Sequence, residues 1–472
     1  MKPSTNPGQP NNGSSRRQFI RQLGTASLLL SSCNLSSPSS AGYETLRPAT
    51  RPFSPNDKIN IACIGMGIMG FNDVHTALQV PGVTLVAACD LYTGRLQHAK
   101  ELYGKDLFTT ADYREILDRK DIDAVIIATS DHWHARIATE ALAKGKAVYG
   151  EKPIVHLVQE GLPLIEAQKR SGKPMQIGSQ RVSSIAYAKA RELYRAGSIG
   201  QLNCIDASWD RQDALGAWEY TQPTDASTAT VSWDRYIAGM PPEPYDPKKF
   251  FWWRNYRAFG TGMAGDLFVH LLSGIHFITG SHGPNKIVAS GMIAYWKDGR
   301  DVPDVMTAIL SYPESAEHPA FQVALRVNFV SGQGDTSFTR FIGSEGVMEM
   351  TGNGFAIHHH KMSEAPGIGG WDALTTYPLA MQDDLVRGYN ARYTPAQRQS
   401  TTQPPTVYQI PDGYNEDLEH HTHFYEAVRN GTPVVEDPTF GFRAAAPCLL
   451  ANESYFSNKI ILWDPVAMRV IT

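Results

Sequence analysis

The residues whose types and spacing could do chemistry come early in the chain. They are Gly65-Met66-Gly67-Ile68-Met69-Gly70, with Asp90 standing 20 positions after the last glycine. Glycine in the first place permits a tight turn out of a strand. In the second it lets backbone approach a pyrophosphate, and in the third it lets helix and strand pack closely. A helix opening at Gly67, Ile68 and Met69 would offer unpaired N–H groups to phosphate oxygens. Asp90 can accept hydrogen bonds from both ribose hydroxyls and would repel a 2′-phosphate, which favours NAD over NADP. A lone G-x-G-x-x-G is weak evidence. This one follows a strand-like run, precedes a helical pattern and has its acid at the right distance. The competing reading is a glycine turn in a fold that binds no nucleotide.

Such a site needs elements to position it. Lys58 to Ile64 is a β-branched, apolar run that fits a buried parallel strand, and Val83 to Cys89 ends in Asp90. Asp112 to Leu117 has the pattern of a short helix, Asp123 to Thr129 of a buried strand, and Trp133 to Lys144 of a helix stopped by Gly145. Lys146 to Tyr149 and Lys173 to Gly178 continue the alternation. Strands alternating with helices predict a doubly wound parallel sheet, whose ligands bind past the carboxyl ends of the strands. Thr129, Ser130, Asp131, His132, His134 and Glu151-Lys152-Pro153 all fall there.

The 472 residues are too many for one ordinary core. Apolar residues at 42% and charged residues at 19% suit a soluble globular chain. Lys and Arg number 43 against 47 Asp and Glu, a net charge of −4 that gives no electrostatic case for nucleic acid. No apolar run reaches the ~18 residues of a membrane span. None of the five cysteines forms a CxxC pair, so a structural zinc site is not expected. Cys63 and Cys89 are expected to be small buried hydrophobes.

Before the fingerprint, Ser15-Arg16-Arg17-Gln18-Phe19-Ile20-Arg21 and the apolar run Leu23 to Leu30 resemble a twin-arginine export signal. The run ends Leu30-Ser31-Ser32-Cys33, which resembles a bacterial lipobox and makes Cys33 the expected lipid anchor. The alternative is a leader cleaved nearby without lipidation. The expected location is the periplasm, free or membrane-anchored. A twin-arginine route carries folded proteins, which fits an enzyme that loads its cofactor before export. Residues 34–56 are rich in Ser and Pro and have the composition of a flexible linker.

At Gly150-Glu151-Lys152-Pro153, with Ala128-Thr129-Ser130-Asp131-His132-Trp133-His134, the chain resembles the Gfo/Idh/MocA family of glucose–fructose oxidoreductase and inositol dehydrogenase. Exported members commonly have Pro where Ser130 stands. Gly178-Ser179-Gln180-Arg181 and Tyr187 to Ala196 are similar to the family's entry into its second domain. So are Trp253-Arg254-Asn255-Tyr256 and the glycine-rich stretch from Gly260 to Asp266, with His270 four positions on. Members often have a further acid after that histidine, where this chain has Leu271-Leu272-Ser273-Gly274. Phe440 to Pro465 is similar to the closing helix and strand of secreted members.

The resemblance implies an α/β fold: an N-terminal Rossmann doubly wound parallel sheet, then a C-terminal α+β domain with a large, mostly antiparallel open sheet. The domains are expected at 57–180, NAD-binding, and 181–472, for substrate and oligomerisation, after a leader at 1–33. The resemblance also implies a homo-oligomer and assigns catalysis to Lys152, Asp266 and His270. If their segment is helical, Asp266 and His270 are i, i+4 neighbours. The carboxylate would then orient the ring and favour its protonated form, with His270 as general base or acid. Lys152 would hydrogen-bond the reacting oxygen and stabilise its developing charge. Gly65, Gly67, Ile68, Met69, Asp90, Thr129, Ser130, His134, Glu151 and Lys152 are expected to hold NAD. Gln180, Arg181, Arg254 and Tyr256 are expected to contact a sugar, the competing reading being inter-domain packing.

From about Ile287 the chain changes style into successive strands: Ile287 to Tyr295, Val305 to Ser311, Phe321 to Phe329, Thr336 to Ile342 and Gly346 to Thr351. An insertion near 355–415 is expected to be loop-like, with His358-His359-His360 in it. Adjacent histidines lack the spacing of helical metal ligands, so no metal is expected there or at His420, His421 and His423. Of the aromatics Trp209, Trp218, Trp233, Phe250, Phe251, Trp252 and Trp253, core packing is expected to claim most.

The expected activity is hydride transfer on a secondary alcohol of a sugar, glycoside or cyclitol, with tightly held NAD and a small carbohydrate as partner. One alternative is a redox-neutral, NAD-dependent glycosidase working by oxidation, elimination and reduction. Another is a non-enzymatic sugar-binding surface protein.

Overall fold

The computed structural model describes residues 57–471. The twin-arginine-like pair, Cys33 and the linker lie outside the described residues.

Six parallel strands form the first sheet: Ile59–Ile64 (β1), Val83–Cys89 (β2), Phe108–Thr110 (β3), Ala124–Ile127 (β4), Ala147–Glu151 (β5) and Met175–Gly178 (β6). Their order is β3-β2-β1-β4-β5-β6. All five pairings are parallel. The central strands β4 and β5 are buried at every position, as strands covered on both faces must be. The chain order reverses across β1, so the crevice beyond the ends of β1 and β4 is where a doubly wound sheet binds its ligand.

The second sheet has ten strands. They are Leu202–Asp210 (β7), Lys286–Met292 (β8), Val305–Tyr312 (β9), Phe321–Asn328 (β10), Thr336–Gly343 (β11), Gly346–Thr351 (β12), Gly354–Lys361 (β13), Thr401–Gln409 (β14), Ile461–Asp464 (β15) and Arg469–Val470 (β16). The order is β14-β13-β12-β11-β7-β10-β9-β8-β15-β16. Every pairing is antiparallel except β7 with β10. Along β10, buried positions alternate with more exposed ones, the period-two pattern of a sheet with one covered face. The covering layer comes from helices Ile185–Arg195, Val269–Thr279 and Pro438–Ser457. One apolar core runs through both sheets, from Ile64 and Val148 to Leu272, Val323 and Leu450.

Two expectations are corrected. The second sheet starts at β7, well before Ile287. The run Leu-Asn-Cys-Ile-Asp-Ala-Ser-Trp-Asp hides its strand character behind polar residues, of which Ser208 and Asp210 are buried. Asp210 is neutralised across the sheet by Arg326 of β10, 2.5 Å away. The insertion near 355–415 is not loop-like. It supplies β13, helix Leu379–Arg392 and β14. Pro404 and Pro405 mislead because proline is usually excluded from strands. Here they lie on an edge strand, inside a register irregularity between Gln403 and Thr406, the setting in which strands admit proline.

Candidate active site

The nucleotide end of the cleft is built mostly from backbone. β1 ends in Gly65, whose φ of +94° is left-handed, and a Cβ there would lie 2.6 Å from the Ala128 carbonyl carbon. Gly70 packs so tightly that its Cβ would sit 1.9 Å from the Gly65 carbonyl oxygen. Gly67 differs. A Cβ there meets nothing within 4 Å, and the residue lines a cavity shared with Ile68, Met69, Thr129 and Ser130. Helix Ile68–Ala77 begins at this point without a side-chain cap, so its first N–H groups stay available. Asp90, buried at the end of β2, accepts from Met66 N–H at 2.7 Å and Tyr92 N–H at 2.8 Å. Its carboxylate fastens the glycine turn to the next loop and still faces the cavity. Open space over Gly67, uncapped N–H groups and a buried acid at the second strand end fit the pyrophosphate and ribose of NAD.

The ends of β4 and β5 form the floor. His134 lines the cavity, and its ring lies between the carbonyl oxygens of Pro153, 2.7 Å from Nδ1, and Thr129, 3.1 Å from Nε2. It thereby ties the two strand ends together. His132 is turned away, towards the Tyr236 carbonyl at 3.0 Å, and burial lowers its pKa to about 4. Glu151 and Lys152 both line the cavity. Burial, with Asp73 adding to it, pushes the Glu151 carboxyl up, and its Oε1 accepts from Gln180 at 3.4 Å. The Lys152–Pro153 peptide bond is cis.

From Lys152 the cleft passes to the second domain. Lys152 Nζ donates to Asp266 Oδ1 at 2.9 Å and to the Asp266 carbonyl oxygen at 2.9 Å. Arg254 Nε donates to the same Oδ1 at 3.0 Å. Burial alone would raise the Asp266 carboxyl, but the Lys152 and Arg254 cations outweigh it and hold the group well below the usual carboxylate range. The expected Asp266–His270 pairing is not what the structure forms. Ala264–Phe268 is a π-helical turn, so the i, i+4 neighbour rule does not apply across it, and the carboxylate is committed to Lys152 and Arg254. The His270 ring packs on Trp209, with centroids 5.3 Å apart. Asp266 does favour the protonated ring, as expected, but burial first, then the Lys152 and Arg181 cations, outweigh it and lower the His270 pKa well below 6.5, which favours the neutral form.

The other expected residues divide. Arg254 lines the cavity beside Trp253, Tyr220, Phe250 and Phe251. Gln180 sits behind Glu151, and Arg181 lies over Trp209 at 4.9 Å while donating to the Tyr187 hydroxyl. Tyr256 is buried in the aromatic cluster behind Phe250, with Phe259, and does not itself line the cavity. Trp218 and Trp233 are core residues. Tyr220, Arg95 and Arg235 line the cavity without any sequence signal to single them out. His420 bonds the Ser183 hydroxyl and the Ile177 carbonyl, and His421 faces Asp73. Among the described residues there is no His, Cys, Asp or Glu cluster able to hold a metal.

Residues 59–179 match the family described as "Oxidoreductase family, NAD-binding Rossmann fold", GFO_IDH_MocA. The first domain is therefore an NAD-binding Rossmann domain. The chain is similar to inositol 2-dehydrogenase of Salmonella typhimurium, 35% identical over 140 residues, covering 29% of this chain and 42% of that one. It is also similar to an alpha-N-acetylgalactosaminidase of Shewanella oneidensis, 30% identical over 205 residues, covering 40% of this chain and 44% of the other. The matched stretches thus span less than half of these relatives' lengths. Among solved structures, a levoglucosan dehydrogenase in complex with NADH and levoglucosan aligns with a TM-score of 0.60 at 16% identity, covering 86% of this chain and 99% of that chain. That likeness extends the shared fold through the second domain.

Proposed function

We propose, taking the NAD-binding Rossmann domain as the premise, that this chain transfers hydride between NAD and the carbinol carbon of a sugar, glycoside or cyclitol, interconverting a secondary alcohol and its ketone. The observation that carries the reading is Lys152. It leaves the end of β5 on the cavity wall and is fixed at 2.9 Å to Asp266 of the other domain. Bound NAD supplies the hydride acceptor or donor. The protein's part is proton handling and positioning. Lys152 donates a hydrogen bond to the reacting oxygen and stabilises the charge that develops on it. Asp266 and Arg254 hold the lysine in place. A neutral His270 can accept the hydroxyl proton, as a general base must.

The similarity to a galactosaminidase supports a second reading, in which the oxidised sugar loses the proton next to its ketone and expels its aglycone, water adds to the resulting double bond, and the hydride returns to the ketone. The twin-arginine and lipobox reading of the leader stays part of the proposal, with the mature chain in the periplasm or anchored at Cys33. A mature chain found only in the cytoplasm would overturn that part.

The test is a denatured preparation assayed for released nucleotide, then a glycoside panel assayed for oxidised sugar and free aglycone. Near one NAD(H) per chain with oxidised sugar supports the oxidoreductase. Free aglycone without net oxidation supports the glycosidase. A protein that binds no NAD at all overturns both and leaves the sugar-binding alternative.

A further inference from the structure

The charges beside Lys152 and Arg254, the two cations that line the cleft where it meets the second domain, do not balance. Lys152, Arg181, Arg211 and Arg254 surround the face made by Asp266, His270 and Trp209. Two of them, Lys152 and Arg254, share the one carboxylate of Asp266 at 2.9 Å and 3.0 Å. Arg181 and Arg211 both approach the Trp209 ring, at 4.9 Å and 6.0 Å from its centroid. The same ring packs on His270. Arg181 donates to the Tyr187 hydroxyl at 3.2 Å and Arg211 to the Gly216 carbonyl at 2.9 Å. Among the described residues, neither meets a carboxylate within ion-pair distance.

The acids at the rim do little to offset this excess. Burial pushes Glu151 towards its neutral form. Burial also raises Glu416 near Arg181. Asp131 is engaged by the Thr261 N–H at 2.9 Å and the Thr261 hydroxyl at 2.7 Å. Half-buried cations without a counter-charge are costly, and a guanidinium presents a planar fork matched to a carboxylate or sulfate. Packing against Trp209 holds two such forks in place, so little side-chain freedom is lost when an anion arrives.

We propose that the carbohydrate substrate bears an anionic group, a carboxylate or a sulfate ester, received by Arg181 and Arg211 beside Trp209. The proposal rests on the carbohydrate reading above and narrows it to acidic sugars. A neutral sugar would leave both forks unpaired, and hydrogen bonds to a charged group are the stronger kind.

The test is titration of the NAD-saturated protein by tryptophan fluorescence with D-glucuronate, D-galacturonate and D-glucose 6-sulfate, against D-glucose and D-galactose. At least one acidic sugar is expected to bind about 10-fold or more tightly than its neutral counterpart. Raising the salt concentration should erode that advantage. Arg211→Gln and Arg181→Gln should each reduce the ratio of acidic-sugar to neutral-sugar affinity, because a polar amide removes the charge alone. Preference for uronates identifies a carboxylate, and preference for the 6-sulfate identifies a sulfate ester. Acidic sugars that bind no better than neutral ones, or not at all, overturn the proposal. A separate NAD titration keeps the two readings apart. A protein that prefers acidic sugars but binds no NAD sinks the oxidoreductase reading and leaves this one standing.

Discussion

The two ends of the cleft are built from different materials. At the nucleotide end the working parts are backbone: a left-handed Gly65, the open space above Gly67 and the uncapped start of helix Ile68–Ala77. One short stretch of chain supplies them. At the opposite end the working parts are side chains from several separate stretches: Lys152 after β5, Arg254 in a short turn, Asp266 in a π-helical turn and His270 in the helix behind it. They are held by charge, with one buried carboxylate shared between two cations. A backbone site tolerates side-chain change wherever there is room for it. A charge-built site fails when any one partner is removed.

The largest expected effect breaks the charged end. Asp266→Ala leaves Lys152 and Arg254 with no counter-ion in a mostly buried setting, and losing one partner of a buried pair costs about 3–5 kcal/mol. Urea denaturation should show a midpoint shift of that order. An unchanged midpoint would mean the three groups do not hold the domains together. Lys152→Ala comes next. Removing one donor to a developing oxyanion costs about 10²–10³ in kcat, roughly 2.7–4 kcal/mol. Titration with NAD should find cofactor binding retained. Loss of both together would erase the distinction between the two ends.

At the backbone end, Gly67→Val should fold normally, because its Cβ meets no atom, yet bind NAD at least about tenfold more weakly, some 1.4 kcal/mol. Gly65→Val should instead fail to fold well, since its Cβ would strike the Ala128 backbone at 2.6 Å. Equal NAD binding by wild type and Gly67→Val would show that the pyrophosphate does not cross this glycine.

The pH profile sharpens the same contrast. His270 has its pKa lowered by burial and by the Lys152 and Arg181 cations. A base of that kind is active when neutral, so activity is present above its folded pKa and lost as pH falls through it. The acid limb of kcat/KM should lie well below 6.5. It should move up in Arg181→Gln, where one repelling cation is gone. A limb at the ordinary histidine value would mean that His270 is solvated or is not the base.

What could be read from the sequence follows the same division. The fingerprint and its acid lie within one βαβ unit, so local spacing carries the geometry, and β1, β2, β4 and the helices between them follow from hydrophobic runs. The helix periodicity around Asp266 also looked sound, but in the π-helical turn the carboxylate meets Arg254, 12 positions back, and Lys152, 114 positions back in sequence. No local pattern encodes that. Arg211 and Tyr220 were not legible because their importance comes only from what β7 brings them next to. β7 itself was missed because polar residues interrupt its apolar run, and the buried one that carries charge, Asp210, is paired across the sheet with Arg326, a partner 116 residues on. Proline misled at β14 for the opposite reason: an edge strand tolerates what an interior one does not.

The smallest expected effect concerns helix Leu379–Arg392, which stands in contrast with helix Val269–Thr279. Nine of the 11 residues of the latter are buried, whereas none of the 14 residues of the former is. Leu272→Ala should therefore cost about 2–5 kcal/mol through a lost core contact. Leu379→Ser, at 78% exposed, and Leu385→Ser, at 44%, should each change stability by no more than about 0.5 kcal/mol. Both are measurable by denaturation at low protein concentration. A larger loss at Leu379 would mean that another surface covers this helix in solution. If that surface is a second copy of the chain, the loss must grow with protein concentration, because only the associated state would bury the leucine. Without concentration dependence, the cover would have to come from the same chain, and the helix would belong to the fold's core after all.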